Sequence, residues 1–279
     1  MLTLYDFGNS VCCQKVRITM RAKGLDWDAI KVDLFKAEQY DPKYLNLNPK
    51  GIVPTLVHDG KAIIESTLIC EYLDDAFPEP RLIPADPWLR TRMRLWSKMV
   101  DEGLFEGVTE LSFSAMFRER MRTMPEDIRE KRFRNVGDPR RRDRFMSTYE
   151  LGVHSPFVIH GIAAYERAFK MLEGTLSENG RISGAQWILG GNPSLADINL
   201  MPLVARLEYL GLLDLWIKDR PRVVAWWAMA REWPSFGTGL RDLISEAEFS
   251  EMRMHGPKIA DDVAGIIAEV RRNTLAAAQ

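Results

Sequence analysis

The chain opens on Leu2-Thr3-Leu4-Tyr5, where apolar and polar positions alternate with the period of a half-buried strand. Asp6 to Asn9 turn out of it, and Ser10 stands where a helix N-cap belongs. The pattern from about Val11 to Ala22 is helical, with Gly24 as its stop. Val32 and Leu34 predict a second strand, and a loop with a short helix covers about Lys36 to Leu47. Two apolar runs follow, Thr55-Leu56-Val57 and Ala62-Ile63-Ile64, joined by His58-Asp59-Gly60-Lys61, an Asp-Gly hairpin turn. A helix from about Ser66 to Phe77 ends at Pro78.

Residues 1–79 thus read strand, helix, strand, hairpin, helix, the thioredoxin-like α/β pattern. Residues 80–87, with Pro80, Pro84 and Pro87, suit no helix and read as a linker. From 88 to 279 helical periodicity dominates, which predicts an all-α second domain. Leu89, Met93, Trp96, Met99, Val100 and Leu104 share one helical face. Near 117–146 the chain turns basic, with eleven Arg or Lys against six acids from Phe117 to Phe145. This is either an anion- or membrane-facing patch or a solvated insertion, and charge runs are usually solvated faces. Helical pattern resumes from Phe157 through Leu172. Ser194 and Asp197 then have capping-box spacing ahead of an apolar helix, Ile198 to Leu210. The tail, with Ile259, Val263, Ile266, Ile267 and Val270, is an amphipathic helix that either covers a cleft or packs on the core.

Composition narrows the function classes. The 279 residues are 46% hydrophobic and 28% charged, with net charge −1, so no global field draws the chain to nucleic acid or membrane. No apolar run approaches the roughly 20 residues that span a bilayer. The first residues lack the basic-then-apolar layout of a signal peptide. Cys12, Cys13 and Cys70 are an odd set without metal-ligand spacing, so neither a disulfide framework nor a metal site is expected, and the cytosol is the natural location.

The candidate chemistry sits at loop edges. Pro54 at the mouth of a strand makes sense if its fixed φ, or a cis bond before it, shapes an edge where Val53 can pair with an extended peptide. Ser66 at a helix N-cap with Glu65 beside it offers a hydroxyl, N–H groups and a carboxylate for the zwitterionic end of a small peptide. A thiol held at the start of the first helix, near Ser10 and Cys12, would ionise more readily. The helix dipole contributes about 0.3–2 kcal/mol and a directed hydroxyl about 1.5–3 kcal/mol. Cys13 and Cys70 read as packing residues, Lys15 and Arg17 as surface groups, and Tyr5 as a strand residue.

Taken together, these segments resemble the glutathione transferases. Ile52, Val53 and Pro54 are similar to the backbone dock for the cysteinyl part of glutathione, and Glu65-Ser66 to the pair that holds its γ-glutamyl group. Ser10 matches the serine that contacts the thiol in serine-type members. Cys12 matches the reactive cysteine of the reductive dehalogenases of chlorinated hydroquinones, whose N-terminal segment and Leu203-Val204-Ala205-Arg206 helix this chain shares. Glu65 to Leu73, Ala85 to Glu102 and Asn135-Val136-Gly137-Asp138-Pro139 look most like the bacterial lignin β-aryl etherases. In the family the Ser194–Asp197 box is structural, and Trp226, Trp227 and Trp233-Pro234 resemble its last common helix. The resemblance implies glutathione as co-substrate, a hydrophobic aromatic small molecule as acceptor, and a homodimer. Phe113, Met116, Phe117 and Tyr209 are candidates for the acceptor site. It leaves open thiolate transfer with β-aryl ether cleavage, chemistry through Cys12, and a non-catalytic ligand carrier.

Overall fold

The computed structural model describes residues 1–34, 36–134, 138–184 and 186–276. β1 (Leu2–Asp6), α1 (Val11–Ala22) and β2 (Asp28–Lys31) are followed by α2 (Pro42–Leu45), the hairpin β3 (Thr55–His58) and β4 (Lys61–Ile64), and α3 (Ser66–Ala76). The strands form one sheet in the order β2-β1-β3-β4. β2 is parallel to β1, and β3 is antiparallel to both β1 and β4. Asp59 and Gly60 both have positive φ, 48° and 79°, which turns the hairpin with the twist of its strands. The second strand lies before the expected Val32–Leu34. All four of its residues are exposed on the sheet edge, so no apolar alternation marks it. Val32 is the buried residue just beyond it, and its N–H donates to Asp6 O at 2.8 Å.

The rest is helical. α4 (Pro87–Met99) passes through a π turn at Val100–Leu104 into α5 (Phe105–Ser112), and through another at Phe113–Phe117 into α6 (Arg118–Arg122). Then come α7 (Glu126–Arg134), α8 (Pro139–Leu151), α9 (Pro156–Ser183), α10 (Leu195–Tyr209), α11 (Asp214–Ile217), α12 (Pro221–Glu232), α13 (Pro234–Gly239), α14 (Glu246–His255) and α15 (Ala260–Ala276). By packing, the chain forms two compact units, each discontinuous in sequence. One comprises residues 1–98, 179–202 and 226–245; the other comprises 99–178, 203–225 and 246 onward.

In the first unit, Leu4, Ile18, Leu56, Ile69 and Leu73 are wholly buried between sheet and helices. Segment 80–87 is fastened to it: Asp74 accepts from Leu82 N (2.8 Å), Ile83 N (3.1 Å) and Lys23 Nζ (2.6 Å). Asp197 is a buried post that accepts from Ile188 N, Ser194 N and Trp226 Nε1 at 3.0 Å and from Ser194 Oγ at 2.9 Å. Burial pushes its carboxyl pKa upward and these donors oppose the rise.

In the second unit, α5 and α9 touch backbone to backbone. A Cβ on Gly107 would stand 2.9 Å from Gly161 Cα, so neither position has room for a side chain. The first π turn leaves Leu104 O to accept from Tyr165 OH at 3.1 Å. The basic insertion is largely solvated and tied at both ends to the helices beside it: Arg118 donates to Tyr149 O and Glu150 O, and Arg144 pairs with Glu106. Asn135, Val136 and Gly137 lie outside the described residues. α15 buries Val263 and Ile267, and its Arg271 reaches Glu166 on α9 at 3.1 Å.

The helix crossing makes a paired prediction. Gly161→Ala should lower stability by about 1–3 kcal/mol or more through backbone overlap. Gly174→Ala, on the same helix but with nothing within 4 Å, should be neutral or gain up to about 1 kcal/mol from helix propensity. Thermal melts of the two variants decide it, and equal melting temperatures would refute the crossing.

Candidate active site

The sheet register gathers the candidate residues. Tyr5 on β1 pairs with Thr55 on β3, and Thr55 pairs with Ile64 on β4. The chain after β1, the chain before β3 and the chain after β4 therefore all leave the sheet at one end. These three departures carry Ser10 and Cys12, Ile52 to Pro54, and Glu65 with Ser66, all within the first unit.

Ser10 caps α1. Its Oγ accepts from Cys13 N at 3.4 Å, its N–H donates to Phe7 O at 2.9 Å, and its carbonyl takes the first helical bond from Gln14 N at 2.9 Å. A hydroxyl that accepts one bond keeps its proton to donate, so capping the helix and contacting an anion are compatible roles. Cys12, half-buried, is the second residue of the helix, while Cys13 is wholly buried. Burial pushes the Cys13 thiol well above its ordinary pKa, Asp6 adds to this, and Arg17 works against it. Cys70 is buried and accepts from Thr19 Oγ1 at 3.2 Å. Both are packing thiols.

Lys15 and Arg17 are not surface groups. Each is only 1% exposed. Lys15 Nζ reaches Thr67 Oγ1, in the first turn of α3, at 2.9 Å, which sets a buried ammonium behind Ser66. Arg17 binds both Asp6 carboxylate oxygens (2.7 and 2.6 Å), Gly8 O (2.7 Å) and Gly239 O (2.9 Å). Helical spacing held the signal: Val11, Lys15 and Ile18 lie on one stripe and Cys13, Arg17 and Met20 on another, and the apolar members of both are buried.

The peptide bond Val53–Pro54 is cis. Ile52 O is turned inward, accepting from Tyr44 OH at 2.6 Å and Asn48 Nδ2 at 2.9 Å; both groups also reach Thr55 Oγ1. Burial pushes the Tyr44 phenol pKa up to about 12, so it stays a donor. Gly51 takes φ 58° with the Tyr40 ring 3.0 Å from where a Cβ would be. The loop is thereby fixed from inside, and Val53 lies outside the ladder with its side chain buried in a cluster with Cys13, Val32 and Tyr44.

The cap of α3 is Glu65 rather than Ser66, which is the first helical residue and 8% exposed. Glu65 has φ 70°, uncommon for a residue with a side chain, and its carboxylate pairs with Lys50 Nζ at 2.6 Å. Phe113 and Met116 are core residues of the second unit, whereas Phe117 and Tyr209 are half-buried. A cavity of about 360 Å³ in that unit, lined by Gly107, Gly161, Glu106, Arg144, Phe157 and His160 among others, holds none of the predicted site residues. No cluster able to hold a metal and no helix long and apolar enough to cross a membrane occurs among the described residues.

A half-buried hydroxyl at a helix start, a rigid loop rim and a carboxylate–hydroxyl pair at a second helix start can together hold a small zwitterionic peptide and its thiol. The glutathione S-transferase N-terminal domain matches residues 4–81 and the C-terminal domain matches residues 139–227. Protein LigF of Sphingobium sp. strain SYK-6 is 48% identical over 103 residues, a stretch that is 36% of this chain and 40% of that protein. Tetrachloro-p-hydroquinone reductive dehalogenase of Sphingobium chlorophenolicum is 30% identical over 254 residues, covering 85% of this chain and 94% of that one. The crystal structure of the β-etherase LigF superposes with a TM-score of 0.75 at 29% identity, covering 86% of this chain and 99% of that one. The chain belongs to the glutathione S-transferase family, whose co-substrate is glutathione.

Proposed function

We propose that this transferase ionises glutathione at Ser10 and directs the thiolate at a β-aryl ether of an aromatic ketone. The observation that carries the reading is the Tyr5–Thr55–Ile64 row, which brings the Ser10 cap, the Val53 rim and the Glu65–Ser66 turn to one end of one sheet. Likeness to LigF along nearly that protein's whole solved length supports the choice of ether. Ser10 donates to the sulfur, Val53 beside Ile52 and Pro54 docks the tripeptide backbone, and Glu65 with Ser66 holds the γ-glutamyl end. The acceptor is bound by residues of the helical region 88–279, with 1–79 as the glutathione-binding part. In the reaction a sulfur–carbon bond forms at the carbon α to the ketone. The carbon–oxygen ether bond breaks with its electron pair on the phenolate, which takes a proton to leave as phenol. A homodimer in the cytosol completes the reading.

A second reading uses Cys12 as the reacting thiol in reductive dehalogenation or thiol exchange. Its support is the likeness to the hydroquinone dehalogenase and the half-buried place of Cys12 at the second position of α1, where the helix dipole favours a thiolate. A non-catalytic carrier fits less well, because the whole glutathione set of side chains is intact.

The deciding assay follows phenol release and glutathione consumption with a β-aryl ether ketone dimer. Ser10→Ala removes a bond that stabilises the anion, so the thiol pKa should rise by about 1–2 units for the roughly 1.5–3 kcal/mol lost. Because the hydroxyl lowers that pKa, the loss is largest near neutral pH, and rate should return as pH climbs. Cys12→Ala should leave phenol release intact. A pH profile unmoved by Ser10→Ala would sink the serine role. Phenol release absent from wild type, with two glutathiones oxidised to the disulfide while a chlorinated hydroquinone is reduced with loss of chloride, and that activity lost in Cys12→Ala, would select the second reading.

Thiol labelling gives an independent check. Cys12 should react with iodoacetamide in the native protein, while Cys13 and Cys70 should react only on unfolding; native labelling of Cys13 would contradict its burial.

A further inference from the structure

Arg17 contacts none of the proposed glutathione-binding residues, yet its guanidinium holds the loop that ends on Ser10. Nη1 grips both carboxylate oxygens of Asp6, the last residue of β1, at 2.7 and 2.6 Å. Nη2 holds Gly8 O, in the middle of the loop, at 2.7 Å. Nε fixes the whole fork to Gly239 O, at the end of α13, at 2.9 Å. Gln14 Nε2 adds a longer bond to Gly8 O at 3.4 Å.

The anchor itself is rigid. A Cβ on Gly239 would stand 2.8 Å from Ile18 Cα and N, so the end of α13 rests directly on the backbone of α1. Every Arg17 donor nitrogen thus has a partner inside a nearly sealed site, and the chain from β1 to Ser10 is held at its start, its middle and its cap. An exposed surface arginine would need none of this.

We infer that Arg17 is a positioning residue for the thiolate: it sets where the Ser10 hydroxyl points, through Asp6 and Gly8, with Gly239 as the fixed post. This rests on the reading of Ser10 as the donor to the sulfur. A lysine keeps the charge but has no planar fork, so it cannot reach Asp6, Gly8 and Gly239 at once. The consequence is specific. Glutathione should still bind through Val53, Glu65 and Ser66, while its thiol loses a well-aimed donor.

The test is a double-mutant cycle on the full-length protein with Ser10→Ala, Arg17→Lys and the two combined. It reads ultraviolet thiolate absorbance of bound glutathione against pH, with kcat and KM where turnover is measured. Arg17→Lys should raise the thiol pKa toward the Ser10→Ala value and cut kcat by about ten- to a hundredfold, with KM for glutathione within about twofold. The double variant should be no worse than Ser10→Ala alone, because both changes remove the same bond. Gly239→Ala, which displaces the post and leaves every charge in place, should shift the thiol pKa in the same direction and provides the readout should Arg17→Lys not fold.

Additive losses in the cycle, or an Arg17→Lys variant that melts lower with unchanged thiol pKa, would reduce Arg17 to a structural role and overturn the inference alone. A Ser10→Ala variant with unchanged thiol pKa would remove the donor reading first, and the inference with it.

Discussion

One row of paired residues, Tyr5–Thr55–Ile64, sets the end of the sheet at which the proposed site would be built. Strand register is unforgiving, because a slip by one residue turns every side chain to the other face. Here that rule fixes more than a core. It fixes which three loops share an end of the sheet, and so puts a helix cap, a loop rim and a strained carboxylate turn side by side. Nothing in those loops needs to be long. Each inherits its place from the strand it leaves.

Around that row, polar groups are placed so that the loops stay still. Tyr44 and Asn48 hold the Ile52 carbonyl and Thr55 from beneath. Asp197 gathers four donors under the start of α10. Buried polar groups satisfied in this way raise the cost of any alternative arrangement, since each donor left behind would be unpaired. Helix propensity plays a smaller part: α1 contains Lys, Arg, Gln and Thr and is nonetheless buried over most of its surface.

Much of the fold was legible because the two periods, two and 3.6, are written in Leu2–Tyr5, Val11–Ala22 and the hairpin runs. The Asp-Gly turn and the Ser194–Asp197 box were legible because their chemistry is local. Three things were not. The strand Asp28–Lys31 lies at an exposed edge, where alternation has no core to face. The cap of α3 falls on Glu65 because that residue adopts φ 70°, a choice made by the hairpin that precedes it and not by its own preference. Lys15 and Arg17 are buried because their partners come from three other stretches of chain: Asp6 and Gly8, Thr67, and Gly239. Charge marked them as solvent-facing; only their position on an apolar stripe pointed inward, and that signal is weak beside a cationic head group.

The bond from Arg17 to Gly239 spans 222 positions of chain. During synthesis α1 emerges first, and its fork waits for a carbonyl that is made 222 residues later. At ribosomal speeds of roughly 5–20 residues per second the interval is about 10–40 s. Through that time the nascent chain carries a buried-type guanidinium without its post, along with the backbone surface of α1 on which Gly239 will rest. The segment on which the Ser10 loop leans is born more than two hundred residues after the arginine that grips it.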